Sequence, residues 1–160
     1  MNFDQTRQFL CFKGKTLLAI DFGTKVTGLA SFCPGRDPFP LIYGKINFVS
    51  EEKLIADLQK IVLDEAIDII VMGLPLFLDG KESLATKRVK TIALKLLEQL
   101  KIPLYLQDET LTTFEAEERM KTSARYNFKV DLESIDELSA QIILEDFMRA
   151  EFLKKLGDDF

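Results

Sequence analysis

Residues 67–74 read IDIIVMGL, an apolar run broken by a single charge. A strand with one face in water alternates apolar and polar residues, whereas an unbroken apolar run belongs to a strand covered on both faces. The run therefore calls for a sheet with helices packed against both sides, an α/β architecture. It does not call for a membrane. Even when extended to Leu78 the stretch is interrupted by Asp68, Gly73 and Pro75, and it falls short of the ~20 apolar residues that a spanning helix needs.

The rest of the chain supplies such a sheet. TLLAIDF (16–22) is a compact apolar run, and KVTGLASF (25–32) is β-branched and partly alternating. The turn GTK between them makes a hairpin. CPGRDPFP (33–40) is a loop, and LIYGKINFV (41–49) is a third strand in which Gly44 weakens the pairing or marks a bulge. Ser50 caps a helix over 51–66, with Leu54, Ile55, Leu58, Ile61 and Val62 at helical spacing. A second amphipathic helix spans 84–100, and PLYLQ (103–107) is a fifth strand running into Asp108 and Glu109. Capping boxes at Thr112–Glu115 and Ser134–Glu137 start two further helices, the last reaching about residue 155, with TSARYNFKVD (122–131) as a mobile loop. The expected fold is thus a mixed five-stranded sheet flanked by helices: three antiparallel strands, then two parallel ones.

Length predicts one domain over 16–155, with a poorly determined leader at 1–15 and a tail at 156–160. MNFDQTRQFLCFKGK lacks the basic region and long apolar core of a signal peptide, so the expected location is cytoplasmic, with Cys11 and Cys33 as free thiols. The absence of histidine excludes imidazole acid–base chemistry and histidine-rich zinc sites. Any metal here is expected to be hard and carboxylate-bound.

Three acids stand out. Asp21 closes the first strand, Glu109 follows the fifth, and Asp136 lies in the first turn of the last helix. Acids on three separate elements can meet at one sheet edge, and oxygen ligands of this kind suit Mg²⁺, which keeps room for water and phosphate. Each also has a plainer reading. Asp21 would accept turn hydrogen bonds, Glu109 would be a solvated loop acid, and Asp136 would favour the helix dipole. Ser139 and Ala140 share the helical face of Asp136, and their small size lets that face approach the sheet.

The loop GLPLFLDG (73–80) lies at the carboxyl end of a strand, where α/β folds place their sites. Gly73 and Pro75 set its exit, and Asp79–Gly80 make a second turn. Phe77 in that loop would pack inward or stack on an unpaired base. Charge is segregated along the chain. Residues 81–101 hold six basic side chains against two acidic, whereas 51–68 hold six acidic against two basic. A basic face for a phosphate backbone, with Lys81, Lys87, Arg88 and Lys90 as its centre and Lys25 beside it, therefore survives a net charge of −5. The alternative is a solvated helix face.

DFGTKVTG (21–28) is similar to the phosphate-binding hairpin of actin-like and sugar-kinase ATPases, but those need two lobes to enclose a nucleotide. A fuller resemblance comes from DFGTKVTGLA (21–30), GLPLFLDG (73–80), DETLTTFEAE (108–117) and DELSAQIILE (136–145), taken in order. Together they resemble the YqgF family, also called RuvX, within the RNase H-like superfamily. The resemblance implies an Mg²⁺- or Mn²⁺-dependent endonuclease with Asp21, Glu109 and Asp136 as catalytic and metal-binding residues. It implies Lys25 as the basic position of the first motif, and Asp79 and Gly80 in the loop motif. Two departures stand out: the family has asparagine where this chain has Phe77, and arginine where it has Thr110. The segment before Asp136 also differs in spacing, which leaves Lys129 without a clear counterpart.

The expected activity is cleavage of structured nucleic acid, in maturation of the 5′ end of 16S rRNA from its precursor. The alternatives are resolution of Holliday junctions and a non-catalytic RNA-binding role in ribosome assembly. The expected partners are precursor rRNA ahead of branched DNA, ribosomal precursor particles and a second copy of the chain, with no membrane.

Overall fold

The computed structural model describes residues 6–157. Strands β1 (Leu17–Asp21), β2 (Val26–Phe32), β3 (Leu41–Asn47), β4 (Ile69–Leu74), β5 (Leu104–Asp108) and β6 (Lys154–Lys155) form one sheet in the order β3-β2-β1-β4-β5-β6. β1, β2 and β3 pair antiparallel, β4 runs parallel to β1 and β5 parallel to β4. The mixed α/β sheet is as expected, but it has six strands, not five. β6 pairs antiparallel with β5 in a stretch assigned to the last helix and tail, and Leu156 behind it returns to the core.

β4 is covered on both faces, as its composition demands. Ile70, Met72 and Leu74 point with Leu18 and Ile20 of β1 toward helices α2 (Glu51–Asp64) and α3 (Leu84–Leu100). Ile69 and Val71 point with Leu17 and Ala19 toward helix α5 (Ile135–Arg149). Each large apolar side chain fully buried this way contributes roughly 1.5–3 kcal/mol. Helix α4 (Thr112–Lys121) packs on α5 through Ala116, Met120, Leu138 and Ile142. Arg119 adds charge-assisted hydrogen bonds to Glu115 and Glu145 at 2.7 and 2.6 Å.

The described part of the N-terminal leader is ordered helix: α1 (Arg7–Phe12), capped by the Thr6 hydroxyl. Phe12 sits against Phe147 and Tyr105, with ring centres 5.7 and 5.8 Å away. The amide of Gln8 donates to the Phe147 carbonyl at 3.1 Å and also to that of Ala150, satisfying carbonyls that the end of α5 leaves open. Residues 1–5 and 158–160 lie outside the described range.

The helix starts differ in detail. Ser50 caps α2 as expected, accepting from Lys53 N at 3.1 Å, and Ser83 with Thr86 makes a full capping box for α3. The two boxes read farther along do not form. Thr112 is already inside α4 and buried, and the Ser134 hydroxyl turns away to donate to Asp131 Oδ2. Residues 122–131 are not a featureless loop, because Ala124–Tyr126 make a 3₁₀ turn from which Tyr126 reaches the α4–α5 core. The pairing of β2 and β3 shifts register between Leu29 and Ala30, opposite Gly44, which is the bulge that the glycine signalled.

Candidate active site

Asp21 ends β1, and the sheet sets its surroundings. It pairs with Gly28 of β2, which pairs in turn with Lys45 of β3. Gly28 is where α5 comes in. A β-carbon built there would stand 2.0 Å from the Asp136 carbonyl oxygen, so only glycine lets the first turn of α5 rest on the strand. That contact brings Asp136 to the edge held by Asp21.

Glu109 arrives from the other side. Its amide donates to the Leu74 carbonyl at 3.2 Å, continuing the β4–β5 ladder by one residue, and its side chain then folds back over Gly73. A β-carbon at Gly73 would lie 2.7 Å from Glu109 Oε2 and 2.6 Å from Ile143 Cδ1. Gly73 and Asp21 each follow the paired residues Met72 and Ile20, so the carboxyl resting on Gly73 meets the one that closes β1.

The two carboxyls are hydrogen-bonded to each other. Burial pushes both above the ordinary carboxylate range. For Glu109 the charges of Asp21, Asp108 and Asp136 add to that burial in opposing ionisation, so the pair holds on to a proton more strongly than two free carboxyls would. No lysine or arginine among the described residues makes an ion pair with either. Asp136 is half-buried and raised mainly by that burial, with Lys45 pulling the other way. Lys45 Nζ donates to the Glu133 carbonyl at 2.7 Å and so ties β3 to the segment that leads into α5.

The three acids named from the sequence therefore share one edge, but not equally. Asp21 and Glu109 touch, whereas Asp136 acts on them through its charge. Among the described residues no three such side chains converge into a closed metal cluster. The pair nonetheless suits a hard divalent ion. Its donors are all oxygen, no described lysine or arginine pairs with either carboxyl, and two glycines keep side chains out of the space around the acids.

Beside Glu109 a cleft of about 430 Å³ opens between the β1–β2 turn and the start of α3. Gly23 and Thr24 form one wall, and Leu84, Arg88 and Val89 the other. The Arg88 guanidinium lies 5.4 Å from the Phe22 ring centre and 5.9 Å from that of Phe48.

The expected basic face is less uniform than its sequence. Lys87 is exposed, Lys90 pairs with Glu82, and Lys81 stands 3.9 Å from Asp79. Lys25 is exposed on the turn after Asp21, where its carbonyl accepts from Phe48 N. Pro75 lines the cleft. Asp79 Oδ1 accepts from Lys81 N and Gly80 N donates to the Phe77 carbonyl, so the loop motif is a tight turn that leaves Phe77 and Leu78 exposed. At the position where the family has arginine, Thr110 donates through both its amide and its hydroxyl to Asp108 Oδ1. Lys45 and the aromatic seat of Arg88 were not legible in the sequence; Lys45 carries no local motif, and only its cross-strand pairing with Gly28 reveals it.

Comparison with known proteins identifies the family and the fold. The family described as RuvX, Holliday junction resolvase, matches residues 15–150. A protein of Maridesulfovibrio salexigens named "Putative pre-16S rRNA nuclease" is 34% identical over 82% of this chain and 96% of its own. One of the same name from Pectobacterium carotovorum is 38% identical over 87% of this chain and 99% of its own. Among solved structures, Thermus thermophilus RuvC superposes with a TM-score of 0.57 at 13% identity, over 88% of this chain and 99% of that one, a likeness of fold.

Proposed function

The chain belongs to the RuvX family, whose fold and relatives are those of nucleases, and on that premise we propose that it is a divalent-metal-dependent endonuclease that trims precursor 16S rRNA. The observation that carries the reading is the hydrogen-bonded pair of Asp21 and Glu109, half-buried at the carboxyl ends of β1 and β5 with Asp136 brought beside it over Gly28.

Asp21, Glu109 and Asp136 are the residues that would hold Mg²⁺ or Mn²⁺. When bound, the ion supplies Lewis acidity at the phosphodiester and lowers the pKa of the attacking water. The chain's own groups do the rest. To hold such an ion the Asp21–Glu109 pair would release the proton it shares, leaving both carboxylates as ligands. The Lys45 contact to Glu133 fixes the approach of α5 and hence of Asp136. Lys87, Lys81 and Lys25, exposed around the site, supply positive charge to the phosphate backbone. Precursor ribosomal particles in the cytoplasm are the setting this activity requires; among the described residues no helix is long and apolar enough to cross a membrane.

The deciding experiment is cleavage of precursor 16S rRNA in Mg²⁺ by the unaltered protein and by Asp21→Asn. Cleavage is expected from the first alone, and equal rates would overturn the proposal. Thr110, engaged with Asp108 at the position where the resemblance leads one to expect arginine, favours a second reading as an RNA-binding assembly protein without turnover. Salt-dependent RNA binding with no cleavage in either metal would select it.

A further inference from the structure

The cleft beside Glu109 has a composition that phosphate binding does not explain. Its walls are mostly apolar, Val89 and Leu84 from α3 with Gly23 and Thr24 from the β1–β2 turn, and its lining holds one cation, Arg88, and one carboxyl, Glu109. At about 430 Å³ it falls within the ~300–1,000 Å³ usual for sites that enclose a small organic group. A groove meant for the sugar–phosphate backbone would be lined by exposed lysines instead. Here Arg88 is the basic residue, and its guanidinium rests against the Phe22 and Phe48 rings, which hold it beside the cleft.

We infer that this cleft takes the unpaired base of a nucleotide next to the cleaved bond, with Arg88 stacking on or donating to the base edge. The inference rests on the endonuclease reading, because Glu109 belongs to both the cleft and the carboxyl pair. An occupant touching Glu109 is therefore within about one nucleotide of the reacting phosphate. A flat heteroaromatic ring with a hydrogen-bonding edge matches apolar walls that end in a guanidinium, as in other single-strand sites where stacking gives the affinity. A base must leave its pairing partner to bring both ring faces and its hydrogen-bonding edge against such walls. The site thus selects strands that are single-stranded at the cut, while the surrounding lysines bind backbone of either kind.

The test uses the full chain carrying Asp21→Asn, so that nothing is cleaved, and precursor-derived RNA strands with 2-aminopurine placed at successive positions around the cut site. One position is expected to change fluorescence on binding, and the change should vanish when that nucleotide is paired. Ala85→Leu, an exposed position on the cleft wall, and Arg88→Ala should each abolish that signal and weaken binding of the unpaired strand about 10-fold, on the order of one stacked base. Thermal melting of both variants checks that they fold. Tight binding with a signal that is equal at all positions, or that survives both substitutions, overturns the base site and leaves the nuclease reading standing. Failure to bind RNA at all overturns both.

Discussion

Gly28 and Asp136 touch through backbone alone: the carbonyl of the helix residue occupies the space where a β-carbon of the strand residue would be. This is the joint that sets the depth of α5 on the sheet, and with it the distance of the third acid from the other two. Both partners are main chain, so neither has a rotamer with which to give way.

Gly28→Ala should therefore be severe. Overpacking typically costs 1–3 kcal/mol, and a clash with backbone belongs at the top of that range, about 3 kcal/mol. For a chain of this size that lowers the thermal midpoint by about 10 °C. A midpoint within a degree of the original would show that α5 is not seated as described.

Gly73→Ala should separate stability from function. The atoms it crowds are side-chain ends, Ile143 Cδ1 and the Glu109 carboxyl, rather than backbone, so the stability cost should stay near 1 kcal/mol. The Glu109 carboxyl, however, must move by the better part of an ångström, and misplacement on that scale costs about 100-fold in rate. Denaturant melts together with cleavage rates check this. Equal losses in both would mean that the glycine serves packing only.

These joints explain which parts of the molecule were legible in the sequence. The unbroken apolar run of β4 dictated cover on both faces, and the helical spacing in α2 named residues that provide part of it on one of them. The acids were legible too, because each stands at the end of an element whose type was already clear. What escaped was set by long-range contacts with little local trace. β6 is two residues long and exists only because Leu156 has a core to enter. The hydroxyl of Ser134 had a competing carboxylate three residues back, so its capping box never closed. Nothing near Phe22 or Phe48 in the sequence says that Arg88 will lie across both rings.

Asp146 offers a pH test away from the three acids. Burial beside Glu115 and Glu145 lifts it from an ordinary 3.8 to about 6, against the pull of Arg149 and Arg119. The folded protein thus holds a proton that the unfolded chain has already lost. The group's favourable contribution is complete below pH 4 and fades as pH rises through 6. Asp146→Asn cannot ionise, so its stability relative to the unaltered protein should climb over that window and then level off. Solvent reaches the group, which limits the gain to about 1 kcal/mol. Urea melts at pH 4, 6 and 8 measure it, and a difference that does not change with pH refutes the assignment.

The shared proton of Asp21 and Glu109 leads to a sharper expectation for metal. Both folded pKa values lie above those of free carboxylates, so the metal-free protein binds more protons than its unfolded chain and must lose stability as pH rises from about 4 toward the folded values. A divalent cation reverses that trend, because it replaces the proton as the charge that two adjacent carboxylates require. Binding should then release about one proton per site, and apparent Mn²⁺ affinity should rise as much as tenfold per pH unit while Glu109 remains protonated. Calorimetric titration in buffers of differing ionisation enthalpy counts that proton directly. In Glu109→Gln only Asp21, raised to about 6, is left to titrate in the pair, so the proton release should fall and the affinity should level off above that pH, whereas unchanged release in that variant would place the ion elsewhere.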